Sequence, residues 1–369
     1  MQRRNFAKML GAGAALMPAT TAGTPTGEGI KVGVITHAGG AHLDAYFSAL
    51  AAADEVATVS LSDPGGRNVA DARDVLGEKL SAVYDGPASL VQQERPAMAL
   101  VSMEAALAPP AIEVALEGGC HVMAEKPACV RLEDFERLHD LARTNDLHLM
   151  LALANRLNPE VREARRLLSE SMMGKIYGVE AHLIADQTRL TRPAYHETWY
   201  AKKARGGGGH LIWLGIHWLD LATFLTDSEV VEVAGFTSVV GGQPLDVEDS
   251  AAVAMKFANG ALGTMTSGYY LDRGYHSHLK IWGSHGWLEI RKHGGLPLSW
   301  YSRKEQNPRI HRVEAFPGLS GYTPFVKSCV RASAGLEEPP LTADDSLRAL
   351  KTVFGCYQAA ETGYSQSLA

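Results

Sequence analysis

At 369 residues the chain has length for about two domains, and 46% hydrophobic with 21% charged residues excludes disordered, collagen-like and coiled-coil classes. Lys and Arg number 35 against 41 Asp and Glu, a net charge of −6 without any basic run, so the electrostatic footprint of a nucleic-acid or anionic-membrane binder is missing. No apolar stretch approaches the roughly 20 residues of a membrane-spanning helix.

The chain opens with a basic head, Arg3-Arg4 followed by Phe6 and Lys8, then a weakly apolar core from Met9 to Met17 and small residues at 19–22. This is the pattern of a twin-arginine export signal, a receptor-read address rather than an anchor. Cleavage near Ala22 would leave residues 23–29 as a linker and place the mature protein in the periplasm or otherwise outside the cytoplasm. That route carries folded proteins and suits one that loads a cofactor beforehand.

Residues 30–153 then alternate between strand and helix signals. Strands are expected at 30–35, 56–60, 97–101, 121–124 and 147–153. Helices are expected at 41–52, along the face Val69, Ala72, Val75, Leu76 and Leu80, at 110–117, and along Leu132, Phe135, Leu138 and Leu141. Such alternation predicts an α/β, Rossmann-type, doubly wound parallel sheet with ligands at the carboxyl ends of its strands. From 154 to 364 the pattern changes. A helix from Pro159 to about Met172 precedes β-rich runs at 176–184, 230–240, 251–257, 261–267, 278–282 and 286–290, and a helix at 347–361 closes the chain. These runs predict a second, α+β domain with a mostly antiparallel sheet.

The first strand-turn-helix lacks the G-x-G-x-x-G of a dinucleotide loop: Thr36, Ala38 and Ala41 stand at the glycine positions, with Gly39 and Gly40 between. Taken alone, it reads as an ordinary βα turn. At the end of the second strand, where an acid would bind a ribose 2′-hydroxyl, stands Ser60. Asp63 follows, and Arg67 could accommodate a 2′-phosphate, so NAD and NADP both remain open.

Glu125-Lys126-Pro127, at the carboxyl end of a core strand, is the sharper signal. A lysine there would stand beside a nicotinamide, whose charge lowers its pKa toward proton transfer; the alternative is a solvated ion pair. Asn155 and Arg156 follow the last strand of the first domain and either reach the cleft or cap the next helix. Gly206–Gly209 offers a close backbone approach to substrate or a flexible lid, flanked by Tyr195, His196, Trp199, Tyr200 and His210, types suited to a carbohydrate cleft. His276 and His278 have no nearby acid or thiol to complete a metal site. The four cysteines lack metal or redox spacing and read as buried free thiols.

Taken in order, Glu125-Lys126-Pro127, Asn155-Arg156-Leu157-Asn158-Pro159, Gly174-Lys175-Ile176, Gly206–Leu211, Gly215-Ile216-His217-Trp218-Leu219-Asp220, Pro339–Asp345 and Ala360-Glu361-Thr362-Gly363 resemble the glucose-fructose oxidoreductase/inositol dehydrogenase/MocA family over residues 29–364. The resemblance implies an open sheet in the second domain that supports homodimers or homotetramers, and hydride transfer with NAD(P). It also implies that Lys126 relays a proton, that Thr36, Ala38, Gly39, Gly40, Ala41, Ser60 and Glu125 lie along the cofactor, and that His217 joins Lys126 at the substrate. Asn155, Arg156, Tyr200, His210 and Trp213 are expected around that substrate, a small sugar, sugar derivative or cyclitol.

Three positions depart from the pattern. The glycine loop is altered, Trp213 replaces the Asp four residues before His217, and Ala108-Pro109-Pro110 replaces a histidine near the nicotinamide. Trp213 cannot titrate, but an indole can stack on a sugar's C–H face. The expectation is an exported oxidoreductase with tightly held cofactor, used in paired or transient oxidation. A redox-inactive carbohydrate-binding or partner protein is the alternative.

Overall fold

The computed structural model describes residues 29–271 and 273–368; the segment expected to direct export lies outside the described residues. The first half contains β1 (Ile30–Thr36), α1 (Leu43–Ala51), β2 (Val56–Ser62), α2 (Val69–Leu76), β3 (Leu80–Tyr84), α3 (Pro87–Glu94), β4 (Met98–Ser102), α4 (Ala108–Glu117), β5 (His121–Ala124), α5 (Leu132–Thr144) and β6 (Leu149–Leu151). Its six strands are parallel in the order β3-β2-β1-β4-β5-β6. That order reverses direction between β1 and β4, and the crevice outside their carboxyl ends is where this topology binds ligands.

The sheet is covered on both faces, so its central strands are continuously apolar: all five residues of β4 are buried. Helix α1 buries Leu43, Tyr46, Phe47 and Leu50, one stripe at helical spacing. It starts at Leu43 rather than at residue 41, because His42 takes a left-handed φ of 56° that cannot continue a helix. Leu80 opens β3 instead of closing a helix, since Gly77 turns the chain after Leu76. Neither β3, a half-buried edge strand, nor the short α3 stood out in the sequence.

The second half runs α6 (Pro159–Ser169), β7 (Ile176–Asp186), α7 (Pro193–His196), α8 (Lys203–Gly206), α9 (Ile216–Thr226), β8 (Val230–Ser238), β9 (Ser250–Phe257), β10 (Leu262–Leu271), β11 (His276–Gly283), β12 (Gly286–His293), β13 (Leu298–Ser302), β14 (His311–Val313), α10 (Tyr322–Ser333), α11 (Ala343–Thr362) and β15 (Gln366–Ser367). Nine strands form one sheet, β14-β13-β12-β11-β7-β10-β9-β8-β15, antiparallel except for the β7–β10 pair. In β7, Val179, Ala181 and Leu183 are buried while Glu180 and His182 between them are half-exposed, so one face is packed and the other is open.

The two halves are not packed in sequence order. Helix α10 packs against α1, and α11 packs against α5 and β6 as well as β8 and α9. Helix α11 begins at Ala343, earlier than its apolar stripe, because Thr342 and Asp345 form a reciprocal capping box. All four cysteines are free and buried. No helix among the described residues is long and apolar enough to cross a membrane.

Candidate active site

The carboxyl ends of β1, β4 and β5 converge on one cleft. After β1 the chain makes a tight turn, with Gly40 N–H donating to the His37 carbonyl at 3.0 Å. The His37 side chain then accepts from Gly39 N–H at 2.7 Å, so two amides of the turn are satisfied within the chain. From the second half, the segment 187–206 folds over this turn in short helical pieces. Its Trp199 indole donates to the Gly39 carbonyl at 2.9 Å. Arg205 pairs with Glu104 just after β4, clasping the same segment to the first half a second time.

Lys126 follows β5, with a cis peptide to Pro127, and only 1% of it is exposed. Its ammonium donates to the Trp213 carbonyl at 2.7 Å, sits 3.1 Å from the centre of the Trp213 ring, and lies 3.9 Å from Glu125 Oε1. Burial disfavours the charged form and brings the Lys126 pKa down to about 8; Glu125 opposes the shift and Arg189 adds to it. Glu125 is itself held by Tyr46 and by His42 Nδ1 at 2.9 Å.

Trp213 lies in a π-helical turn, Leu211–Gly215, that leads into α9. Such turns project side chains off the regular helical face and recur at functional sites. Here the indole stacks on Tyr200 at 5.1 Å and on His42 at 6.1 Å, with Trp199 edge-on. It forms a wall between two cavities. An outer cleft of about 1050 Å³ runs along Ala38–His42 and is bounded by Arg189, Arg192, Tyr200 and Trp213. An inner cavity of about 300 Å³ is lined by Lys126, Asn155, Trp213, His217, Lys292 and Tyr322, among others.

Of the residues expected at the substrate, Lys126, Asn155, Trp213 and His217 meet in the inner cavity. Tyr200 and the backbone of Ala38, Gly39, Gly40 and Ala41 border the outer cleft. His217 Nδ1 is buried without a protein partner. Burial, then the charges of Lys126, Lys292 and His42, push its pKa well below the usual imidazole value, so the ring is neutral at pH 7.

Other expected residues lie elsewhere. Arg156 is a buried ion-pair residue: its guanidinium grips Asp220 at 2.6–3.1 Å and Asp345 at 3.1 Å, away from both cavities. His210 is fully buried, bonded through Nδ1 to Ser267 at 2.6 Å, and burial drops its pKa to about 3. The Thr36 hydroxyl turns to the Ser102 carbonyl at 2.7 Å and ties β1 to β4 rather than facing a cofactor. Ser60 is inside β2, which continues to Ser62, so the strand-end acid is Asp63. Asp63 accepts from the Asn68 backbone and side-chain amides. Glu125 reaches neither cavity wall and acts by holding His42 and Tyr46.

The glycine run is neither a lid nor a substrate cradle. A Cβ at Gly208 would run into the Tyr357 hydroxyl, and one at Gly209 into the Glu248 carbonyl. These contacts let the buried Glu248 carboxylate accept from Gly209 N–H at 2.6 Å and Leu211 N–H at 2.9 Å, capping the helix that carries Trp213 and His217.

Residues 30–153 match the family described as "Oxidoreductase family, NAD-binding Rossmann fold", and residues 161–289 match the GFO/IDH/MocA C-terminal domain. The chain belongs to the GFO/IDH/MocA family. Curated relatives include the D-glucoside 3-dehydrogenase of Escherichia coli, 26% identical over 53% of this chain and 59% of that protein. The myo-inositol 2-dehydrogenase of Thermotoga maritima is 24% identical over 63% of this chain and 67% of that protein. Across the first four curated relatives, the matches span only 44% to 67% of their own length. Among solved structures, a levoglucosan dehydrogenase with NADH and L-sorbose superposes with a TM-score of 0.80 at 20% identity, covering 93% of this chain and 99% of that one. An oxidoreductase domain protein from Kribbella flavida superposes at 0.82 and 21%, covering 93% and 100%.

GFO/IDH/MocA members are built around a nicotinamide dinucleotide, and the outer cleft here fits one. Arg189, Arg192 and Arg205 outnumber Asp186 and Glu197 in its lining, and Arg189 and Arg192 form no ion pair within 4 Å among the described residues, which suits a diphosphate. The Ser62 hydroxyl at the end of β2, the strand end where this topology places a ribose, is buried without a partner among the described residues. The turn at 38–41 would hold the diphosphate with fewer free amides than a G-x-G-x-x-G loop, because His37 already occupies those of Gly39 and Gly40.

Sequence reasoning missed His42, Arg189, Lys292, His293 and Tyr322. His42 was legible as the polar end of the altered loop. Lys292, at the end of β12, carried no motif, and only the pairing of β12 with β11, and of β11 with β7, brings it to the inner cavity.

Proposed function

We propose that this chain is an NAD(P)-dependent oxidoreductase acting on a hydroxyl of a small sugar, sugar derivative or cyclitol. The observation that carries the reading is Lys126: a buried amine with a pKa of about 8, opening on a cavity that a single sugar ring would fill. The names of the relatives, dehydrogenases of a glucoside, an inositol and levoglucosan, support the substrate class.

A bound nicotinamide supplies the hydride acceptor. Lys126 Nζ, neutral above its pKa, takes the hydroxyl proton as the carbon-bound hydrogen departs with its electron pair. His217, neutral and with a free Nδ1, orients the hydroxyl by hydrogen bonding, and Asn155 positions the ring. Trp213 cannot take the Asp role, so acid-base work falls to Lys126 alone; its indole offers an apolar face to the sugar C–H groups. From Lys126 the proton has a way out through Glu125 and the partly exposed His42.

The clasp of Trp199 on Gly39 and of Arg205 on Glu104 supports a cofactor held tightly between the two halves. Retained cofactor suits paired oxidation and reduction, or transient oxidation in an epimerisation, elimination or glycoside cleavage. Arg3-Arg4 with Phe6 and Lys8 supports export by the twin-arginine route. Replacing both arginines by Lys is expected to leave the protein unprocessed in the cytoplasmic fraction. The open face of the nine-stranded sheet, with Leu262 and Phe236 exposed, supports a homodimer or homotetramer.

Denaturing protein purified through its own export route is expected to release nicotinamide dinucleotide. A second reading, a carbohydrate-binding member without hydride transfer, is favoured by the Trp213 wall between the cavities. If no dinucleotide is released and neither NAD nor NADP raises Tm, that second reading stands and the oxidoreductase falls.

A further inference from the structure

The inner cavity holds one positive charge that the oxidation of a neutral sugar does not use. Lys292, the last residue but one of β12, is exposed and lines this cavity from the sheet side. Its ammonium donates to Asn155 Oδ1 at 2.9 Å and forms no ion pair within 4 Å among the described residues. An ammonium has three donors, so two remain for a ligand. The Asn155 side-chain nitrogen likewise donates to none of the described residues. Two adjacent donors, one charged, make a site for the two oxygens of a carboxylate.

The rest of the wall points the same way. None of the described residues lining the cavity is acidic, while His42, His217 and His293 stand there with the two lysines. Lys126 is balanced by Glu125 at 3.9 Å; Lys292 has only Glu160, on α6, acting on it at longer range. A neutral sugar would leave that charge to water at the cavity mouth, whereas a carboxylate would neutralise it directly. The volume of about 300 Å³ is at the small end for ligand sites and suits a single sugar ring.

Resting on the oxidoreductase reading for its reaction, we propose that the substrate is a carboxylate-bearing monosaccharide, a uronate or aldonate, whose acid group is held by Lys292 and Asn155. One end of the sugar is then fixed at the sheet, and the hydroxyl to be oxidised is presented to Lys126. A monoanion matches the single unpaired ammonium better than a phosphate dianion does.

The test is calorimetric titration of the full-length protein, as purified, with matched pairs: D-glucuronate against D-glucose and D-galacturonate against D-galactose, with D-glucose 6-phosphate as a further arm. At least one uronate is expected to bind about tenfold or more tightly than its neutral partner, the size of a charge-assisted hydrogen bond. That preference should vanish in Lys292→Met and persist in Lys292→Arg, with ligand-free Tm confirming that both variants fold. Equal binding of acids and neutral sugars, tighter binding of the phosphate, no binding at all, or a preference that survives Lys292→Met each overturns it. The two readings separate cleanly: a neutral sugar oxidised as well as its uronate sinks the carboxylate and keeps the oxidoreductase. A uronate bound through Lys292 without any hydride transfer does the reverse.

Discussion

Lys126→Met is expected to lower kcat by about 10²–10⁴-fold, the ordinary worth of a positioned proton acceptor, while the protein still folds. The replacement has similar shape and removes an amine whose pKa burial has already brought down to about 8. The same shift sets the pH dependence. Oxidation of a hydroxyl needs Lys126 neutral, and below pH 8 the amine is mostly protonated. The kcat/KM for oxidation should therefore rise with pH through an apparent pKa near 8, and carbonyl reduction, which needs the protonated amine, should fall through the same value. The limb should disappear in Lys126→Met. Wild-type turnover in that variant, or a flat profile in the parent, would remove Lys126 from the chemistry.

Arg156→Met is expected to cost about 3–5 kcal/mol of stability, the penalty of stranding a buried partner. Asp220 is 1% exposed and takes three hydrogen bonds from this one guanidinium, and Asp345, in the capping box of α11, takes a further contact. Arg156 thus joins α9, which carries His217, to α11, which covers the first sheet. Urea unfolding measures the loss. A second change, Asp220→Leu, should recover part of it, because an apolar pair needs no compensating charge. If Arg156→Met instead unfolds like the parent while KM rises, the residue belongs to the substrate site after all.

Much of this architecture was written locally. The apolar runs of β1, β4 and β5 and the stripes of α1 and α5 are periodicities that short-range sterics and burial impose, so the parallel sheet could be read from them. Lys126 was legible because it sits where a strand of such a sheet ends, and ligands gather there. Helix α10 was missed although it buries Phe325, Val326, Cys329 and Val330, since the face it packs on belongs to α1, far earlier in the chain. The glycines at 206–209 misled in the other direction. Their lack of side chains serves contact with Glu248 and Tyr357, and nothing in the run itself distinguishes a protein neighbour from a substrate.

Strand-helix alternation already determined a Rossmann-type first half followed by a mostly antiparallel sheet, and the ordered motifs determined the family, because each depends on residues close together in the chain. Which side chains share a cavity depended on the nine-stranded sheet and the packing of α9 to α11. Only that folding turned Arg156 and His210 inward, stood Trp213 between two cavities, and brought Lys292 within 2.9 Å of Asn155, across 137 residues of chain. Burial and charge balance act between spatial neighbours, and those neighbours here come from distant strands.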